Sequence, residues 1–224
     1  MAMGGREAKD RLYEVFARTA KAVANPKRIE LLELLAQGER TVESLAGAVG
    51  MGMTTTSAHL QVLARSRLVE TRKEGTKVFY RVSGDDVSAF VVALRDLARG
   101  RVAEVEQVVR DYFVARDALE PVGPGELLAR VENGDVVVLD VRPVEEYLAG
   151  HIPGALSVPL DQLEGAVSRL PKRSEIVAYC RGPYCVLAPQ AVERLREKGF
   201  WARRLAEGFP EWRLAGLPVA VGEE

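Results

Sequence analysis

The sequence has few of the residues that build metal centres and disulfide frameworks. Of its 224 residues only two are cysteines, Cys180 and Cys185, and only two are histidines. A structural zinc site needs four clustered Cys or His ligands, and a disulfide scaffold needs several cysteine pairs. We therefore expect no metal ion and no other cofactor, and we exclude a disulfide-rich scaffold.

Long apolar segments are also absent. No uninterrupted apolar run approaches the roughly 18 residues that a membrane helix requires. The segment Met1–Asp10 has no apolar core of the kind found in signal peptides. We expect neither a membrane span nor a signal peptide, and hence a cytoplasmic protein. The length suffices for one large or two ordinary domains.

The net charge of −1 conceals an uneven distribution. Residues 1–84 have 14 basic and 9 acidic side chains, whereas residues 119–224 have 12 basic and 16 acidic ones. Between these parts, Glu120-Pro121-Val122-Gly123-Pro124-Gly125 is the clearest linker in the chain. We predict two domains, residues 1–118 and 119–224.

Helical periodicity dominates the first part of the chain, over Lys9–Val49. Asn25 is expected to cap a helix that starts with proline, and Thr41 to cap a third helix that ends at Val49. Gly50-Met51-Gly52 breaks this helix, and a fourth begins near Thr54 and reaches Arg65. Two helices joined by a short glycine turn form a candidate helix-turn-helix.

The next segments alternate with the period of strands. Residues 68–73 and 77–82 are predicted to pair as a hairpin, the wing, with Glu74-Gly75-Thr76 at its tip. After a cap at Ser83, apolar periodicity predicts a helix to about Ala118, with Gly100 as its candidate interruption. An apolar stripe of this length requires a partner helix.

A DNA-reading helix needs polar side chains for base edges and nearby positive charge for phosphates. The outer surface of the fourth helix is expected to be polar, and segment 54–81 has a local net charge of +4. Taken alone, a Thr/Ser cluster is usually a helix cap and His59 a structural residue. The candidate DNA-binding residues are Thr54, Thr55, Thr56, Ser57, His59, Gln61, Arg65, Lys73 and Lys77.

Three motifs together resemble the ArsR family of winged-helix repressors, over about residues 9–115. They are Asn25-Pro26-x-Arg28-x-x-Leu31-Leu32, Ser57-x-His59-Leu60-x-x-Leu63, and Leu68-Val69 with Tyr80-Arg81. The resemblance implies a homodimer, built on the terminal helices, that binds a two-fold site on double-stranded DNA. Metal-sensing relatives use cysteines on the third helix or carboxylates and histidines on the last helix. The third helix here has no cysteine and the last has no histidine, so we do not expect metal sensing by these routes.

The second part of the chain has the alternating helix and strand pattern of an α/β domain. Val136–Leu139 and Ile176–Tyr179 are continuous apolar runs, typical of a parallel sheet covered on both faces. Helical stretches are predicted at residues 160–170, 187–198 and 210–215, which completes an α/β pattern.

The strand Ile176–Tyr179 leads into Cys180-Arg181-Gly182-Pro183-Tyr184-Cys185, the sulfur loop. Converging backbone amides and a following helix N-terminus predict that Cys180 is ionised near neutral pH. Arg181 is expected to steer an anionic substrate, and Gly182 to adopt angles that turn amides inward. Phosphatase and arsenate-reductase loops of the Cys-x5-Arg type would need arginine at position 186, which is Val186.

Four blocks resemble the rhodanese family, over residues 124–219. They are Leu139-Asp140-Val141-Arg142 with Glu145-Glu146-Tyr147, Gly150-His151-Ile152-Pro153-Gly154-Ala155, the sulfur loop, and Gly208-Phe209-Pro210-Glu211-Trp212. The resemblance implies a doubly wound α/β domain with a parallel sheet. It also implies that Cys180 is a nucleophile that takes sulfane sulfur from a donor such as thiosulfate or polysulfide.

The resemblance also assigns the remaining loop and motif residues. The backbone amides between Arg181 and Cys185 are implied to hold the persulfide, in a loop whose other residues are Gly182, Pro183 and Tyr184. Asp140 and Arg142 are interpreted as structural or gate-forming, His151 as a structural hydrogen-bonding residue, and Trp212 as core. Cys185 replaces a basic residue of many rhodaneses and is either a buried spare thiol or a redox partner. Pro189, near the start of the next helix, and the lost basic residue both favour modest turnover.

Three functions are compatible with the sequence. The first is a DNA-binding regulator that responds to sulfur or redox state through its second domain. The second is a thiosulfate:cyanide sulfurtransferase-like enzyme whose winged helix serves mainly for dimerisation. The third is a repressor whose second domain binds sulfur without turnover.

Overall fold

The structure is a computed structural model that describes residues 4–114 and 120–223. It divides into two compact units, Met1–Val91 and Val92–Glu224. The domain boundary predicted between residues 118 and 119 lies outside the described residues. Within the described ranges no helix is both long and apolar enough to cross a membrane.

The first unit is mainly helical with a small sheet. Its elements are α1 (Gly5–Val23), α2 (Pro26–Leu35), β1 (Arg40–Thr41), α3 (Val42–Val49), α4 (Met53–Arg65), β2 (Val69–Glu74) and β3 (Lys77–Val82). Both predicted caps are confirmed, because Asn25 Oδ1 accepts from the amide of Lys27 at 3.0 Å and Thr41 Oγ1 accepts from that of Ser44 at 3.3 Å. Gly50 ends α3 in the left-handed conformation, with φ +64°.

The predicted wing is present as an antiparallel hairpin. Strands β2 and β3 pair from Val69 opposite Val82 to Glu74 opposite Lys77, and Gly75 at the tip has φ +58°. Strand β1 completes a sheet of order β1-β3-β2. Leu31, Leu45, Leu60 and Leu63 have no exposed surface and pack with Val69 of the wing in one core.

The long helix predicted after the wing is interrupted, but not at Gly100. Helix α5 (Asp85–Arg101) continues through Gly100, because glycine weakens a helix by only about 1 kcal/mol and does not forbid it. The break is at Val102, which is extended, and α6 (Ala103–Val109) and a π-helical turn (Arg110–Val114) follow. The predicted continuation to Ala118 lies outside the described residues.

The second unit contains the parallel sheet. Its further elements are α7 (Pro124–Glu132), β4 (Val136–Asp140), α8 (Val144–Ala149), β5 (Leu156–Ser157), α9 (Leu163–Ala166) with a 3-10 turn (Val167–Arg169), β6 (Glu175–Tyr179), α10 (Leu187–Glu197), β7 (Ala202–Arg204) and α11 (Phe209–Leu214). The strand order is β5-β4-β6-β7, and every pair is parallel.

Both faces of this sheet are buried, as predicted. Val138, Val177 and Tyr179 pack in one core, whereas their neighbours Leu139 and Ala178 pack in the other. Successive residues of a strand point to opposite faces, so a continuous apolar run fits a sheet covered on both sides. The predicted two-domain fold, a winged helix followed by a doubly wound α/β domain, is confirmed.

The predicted linker is wrong at Val122. This residue is fully buried and forms a parallel bridge with Leu205. Its amide donates to Arg204 and its carbonyl accepts from Ala206, both at 2.9 Å. Pro121 and Gly123 predict a break between helices, but Val122 between them pairs with Leu205 and extends the sheet at its β7 edge. Pro124, also in the predicted linker, is the first residue of α7.

Candidate functional site

The sulfur loop leaves the carboxyl end of β6 and is held by the turn that precedes α11. The amide of Phe209 donates to the carbonyl of Cys180 at 3.1 Å. A Cβ added at Gly208 would lie 2.2 Å from the nitrogen of Gly182, so glycine is required at position 208. Gly182 itself has no positive φ, and the special backbone angles expected for it are absent. The residue that must be glycine for close backbone packing is Gly208, which lies against the Arg181-Gly182 peptide.

Cys180 is buried, with 3% of its surface exposed. Its thiol Sγ lies 3.6 Å from the carbonyl oxygen of Cys185 and 3.8 Å from that of Gly182, so it is placed to donate to these acceptors. Burial raises the pKa of Cys180 well above its usual value, despite amide hydrogen bonds from Ala188 and Gly182. The prediction of an ionised Cys180 is therefore wrong for this arrangement, because desolvation outweighs the amides.

The acidic thiol of the loop is Cys185, which is half-buried. A hydrogen bond from Cys180 lowers the pKa of Cys185 to about 7, and amides of Leu187 and Arg181 act in the same direction. Both cysteines are free thiols. The two thiols interact directly, so their titration belongs to the pair; burial disfavours the Cys180 thiolate, and hydrogen bonds favour the Cys185 thiolate.

The charge of Arg181 is paired with a buried carboxylate. Its Nε and Nη2 donate to Glu146 at 2.7 to 3.0 Å, and the Glu146 side chain is only 1% exposed. A cavity of about 460 Å³ beside the loop is lined by Arg181 and Leu187, and also by Glu145 and Asp161. Arg181, which is predicted to steer an anionic substrate, is thus bonded to the Glu146 carboxylate. Two further carboxylates, of Glu145 and Asp161, line the adjoining cavity.

Asp140 and Arg142 form a fully buried ion pair. Arg142 Nη2 donates to Asp140 Oδ2 at 2.6 Å and to the carbonyl of Gly150 at 2.7 Å. The hydroxyl of Tyr179 donates to the same Asp140 oxygen at 2.6 Å. These contacts tie the ends of β4 and β6 to the turn after α8 and favour the structural interpretation of both residues.

Two residues of the other rhodanese-like motifs, His151 and Trp212, are also internal. His151 is buried, its Nδ1 lies 2.9 Å from the carbonyl of Tyr147, and its ring stacks on that tyrosine at 3.7 Å. Trp212 has no exposed surface and donates from Nε1 to Pro218 at 2.7 Å. Both residues lie in environments that agree with the structural roles expected for them.

The candidate DNA-binding residues divide by exposure. Thr54, Thr55, Gln61, Arg65, Lys73 and Lys77 are exposed, and Ser57 and His59 are half-buried. Thr56 is fully buried, and its hydroxyl donates to the carbonyl of Gly52 at 3.1 Å. The outward orientation predicted for Thr56 is wrong, because Thr56 lies four residues before Leu60 and seven before Leu63, on the inner face of α4.

The wing contains both paired and unpaired cations. Arg72 bonds Glu39 at 2.6 Å and Glu74 at 2.5 Å, and Arg81 bonds Glu70 at 2.8 Å. Lys73 and Lys77 form no ion pair with the described residues and remain exposed on either side of the tip. Counting basic residues in the segment therefore overstates the charge that is open to a phosphate.

Comparison with known proteins identifies the two parts. Residues 25–71 match the arsR family of bacterial regulatory proteins, and residues 123–215 match the rhodanese-like domain. The HTH-type transcriptional regulator Rv0324 of Mycobacterium tuberculosis is 46% identical over 219 residues, which cover 98% of this chain and 96% of that protein. A sulfurtransferase of Allochromatium vinosum is 32% identical over 93 residues, which cover 41% of this chain and 85% of that protein.

A solved structure matches the first part. It is the solution structure of the homodimeric winged helix-turn-helix DNA-binding domain of Mb0332 from Mycobacterium bovis. That domain is 45% identical, with a TM-score of 0.42, and the match covers 46% of this chain and 94% of that chain. The fold and the loop define a winged-helix transcriptional regulator that carries a rhodanese-like domain. The chain belongs to the ArsR family of regulators, as the motifs predicted.

Proposed function

We propose that the protein is a cytoplasmic, homodimeric regulator that binds double-stranded DNA and accepts sulfane sulfur on Cys180. The observation that carries the proposal is the presence, in one chain, of an exposed polar helix with a basic wing and of a two-cysteine loop in a rhodanese-like unit. DNA binding would use the first feature, and response to sulfur or redox state would use the second.

The DNA-binding part of the proposal is supported by the side chains that α4 leaves exposed. Thr54, Thr55 and Gln61 offer hydroxyl and amide groups that can bond base edges in the major groove. Lys73 and Lys77 offer charges that are not already held by carboxylates, which suits contact with phosphates. Sequence preference is therefore assigned to α4, and salt-dependent affinity to the wing.

Dimer formation is supported by apolar surface on α1. Leu12, Tyr13, Val15 and Phe16 are between 46% and 61% exposed. Exposed apolar clusters of this kind commonly mark protein interfaces. A dimer built on this helix would cover them and would present two winged helices to a two-fold DNA site.

The sulfur chemistry follows from the shared proton of the two thiols. The Cys180 sulfur attacks the outer sulfur of a polysulfide or thiosulfate, a new S–S bond forms, and the donor's S–S bond breaks. The donor leaves with the electron pair, as a shorter polysulfide or as sulfite. The Cys180 proton passes to the Cys185 thiolate, and the product is a Cys180 persulfide.

Cys185 then provides a second step. The Cys185 sulfur can attack the Cys180 sulfur of the persulfide, so that a Cys180–Cys185 disulfide forms and the S–S bond of the persulfide breaks. The proton that Cys185 had taken up leaves with the outer sulfur as HS⁻. This exchange needs no external oxidant, because the sulfane sulfur is reduced as the two cysteines are oxidised. The loop would then have three covalent states, and these states are the proposed signal.

We expect the sulfur donor to be a compound whose binding does not require an unpaired cation. Thiosulfate has two negative charges, whereas Arg181 is bonded to Glu146, and Glu145 and Asp161 line the adjoining cavity. Polysulfide or a thiol persulfide is therefore favoured over thiosulfate, and cyanide-dependent turnover is expected to be modest.

Mass spectrometry of the intact chain after polysulfide treatment tests the proposal. A mass gain of one sulfur for the persulfide, or the loss of two hydrogens for the disulfide, is expected; both changes should be reversed by dithiothreitol and be absent in Cys180→Ser. Sequence-specific binding to DNA upstream of the protein's own operon is expected as well. Unmodified protein, or DNA binding without sequence preference, would contradict it.

A further inference from the structure

A residue upstream of the rhodanese-like match contacts the support of the sulfur loop. Within the unit Val92–Glu224, Arg95 of α5 bonds through Nη2 to Glu211 Oε1 at 2.7 Å. The two side chains are 15% and 7% exposed, so this ion pair is largely buried. The family match begins only at residue 123 and therefore does not include Arg95.

Glu211 also bonds the backbone of the turn that supports the loop. Its Oε2 accepts from the amide of Gly208 at 2.9 Å. Gly208 packs so closely on the Arg181-Gly182 peptide that no side chain fits there, and the next amide, of Phe209, bonds the carbonyl of Cys180. The turn from Gly208 to Glu211 is therefore the rear wall of the sulfur loop.

Arg95 also approaches the loop directly. Its guanidinium carbon lies 5.7 Å from the centre of the Tyr184 ring, within the range of a cation–π contact. A Cβ added at Gly182 would lie 3.4 Å from Arg95 Nη1. The Arg95 guanidinium thus contacts Gly182 and Tyr184 of the sulfur loop and also pairs with Glu211, whose carboxylate holds the turn behind the loop.

We propose that Arg95 is a positioning residue for the sulfur loop. By pairing with Glu211 it holds the turn at Gly208, and by lying beside Gly182 and Tyr184 it limits the movement of the loop around Cys180. The inference rests on the proposed sulfur acceptance at Cys180. It places the start of the functional sulfur unit on α5, upstream of the matched family segment.

Removing the guanidinium has a defined physical consequence. In Arg95→Met, the largely buried Glu211 carboxylate loses its cation and must draw in water or move, which releases the wall of the loop. Small displacements of reacting groups reduce rates strongly, so we expect sulfur loading of Cys180 to slow about 10-fold or more. The effect should fall on the rate constant of loading more than on the apparent affinity for the donor.

The experiment uses the full chain and two readouts. Single-turnover persulfide formation with inorganic polysulfide is measured in wild type, Arg95→Met and Arg95→Lys, and the rate of iodoacetamide alkylation of the loop thiols is followed against pH. Arg99→Met is the matched control, because Arg99 is an exposed arginine on the same helix. We expect Arg95→Met to change both readouts, Arg95→Lys to lie between it and wild type, and Arg99→Met to match wild type.

Failure of this inference is distinct from failure of the proposed function. If wild type forms no persulfide, sulfur acceptance is refuted, while a changed alkylation profile in Arg95→Met still supports the positioning role. Wild-type loading and alkylation in Arg95→Met would overturn the inference. If that variant does not fold, Glu211→Gln, whose amide oxygen can still accept from Gly208, replaces it, and wild-type behaviour of both readouts in Glu211→Gln would equally overturn it.

Discussion

The recognition helix α4 and the sulfur loop differ in what determines their chemistry. On α4 the groups proposed to act are exposed, and their properties are those of the isolated side chains. In the sulfur loop the groups are buried or half-buried, and contacts from distant segments set their charge. Glu146 bonds Arg181, and burial raises the pKa of Cys180, which the sequence predicts to be ionised. Residue type alone is thus a better guide to the first region than to the second.

The largest expected effect separates the two cysteines of the loop. Cys180→Ser should abolish persulfide formation and leave DNA binding intact, because we propose Cys180, at the end of β6, as the nucleophile. Cys185→Ser should slow loading without abolishing it, because it removes the proton acceptor. Intact-mass measurement after polysulfide treatment distinguishes them. Full loading of Cys180→Ser with none in Cys185→Ser would reverse the assignment.

The wing lysines are expected to have a large but sequence-independent effect. Replacing both Lys73 and Lys77 by Ala removes four lysines from the dimer, and it should weaken binding to all DNA sequences alike and reduce the slope of log affinity against log salt by about 4. Fluorescence anisotropy at several salt concentrations measures both quantities. Gln61→Ala is the matched comparison, and it should instead relax sequence preference, at a cost of about 1–3 kcal/mol for the preferred site. An unchanged salt slope in the lysine variant would refute the docking arrangement.

Thr56 provides a smaller test of the difference between exposed and buried positions on one helix. Thr56→Val removes the hydroxyl bond to Gly52 and should reduce the free energy of unfolding by about 1 kcal/mol. Sequence preference should not change, because the side chain is buried. Urea unfolding and competition binding measure the two effects. Relaxed sequence preference with unchanged stability would show that Thr56 faces DNA.

The smallest expected effect is a shift in the pH dependence of thiol reactivity. Because the pKa of Cys185 is lowered to about 7, its alkylation rate should rise with pH around a midpoint near 7. Cys180→Ala removes the hydrogen bond that stabilises the thiolate, so the midpoint should move to higher pH. Peptide-resolved alkylation across pH 5 to 10 follows each cysteine. A midpoint that stays near 7 in Cys180→Ala would assign the acidity to other contacts.

Local signals were sufficient for the elements and for most of their ends. Asn25, Thr41 and Gly50 act through their own side chains or backbone angles, so the sequence predicts their roles correctly. The Val136–Leu139 and Ile176–Tyr179 runs likewise predict a sheet buried on both faces. These features depend on residues within a few positions of one another.

Features set by distant contacts were not predictable in the same way. The sequence predicts a linker at Val122, and this prediction fails because the partner of Val122, Leu205, lies 83 positions further along the chain. The pairing of Arg181 with Glu146 and of Arg95 with Glu211 joins residues separated by 35 and by 116 positions. The block Glu145-Glu146-Tyr147 contained the acidic partner of Arg181, but only the fold brings Glu146 to the loop.

The central claim is that the sulfur state of the loop changes binding to DNA. It is tested by titrating wild type, Cys180→Ser and Cys185→Ser with DNA from upstream of the protein's own operon, before and after polysulfide treatment. We predict a change in affinity of roughly 5–150-fold for wild type, which corresponds to a coupling of about 1–3 kcal/mol, and no change for Cys180→Ser. Equal affinities for wild type before and after verified sulfur loading would contradict the claim.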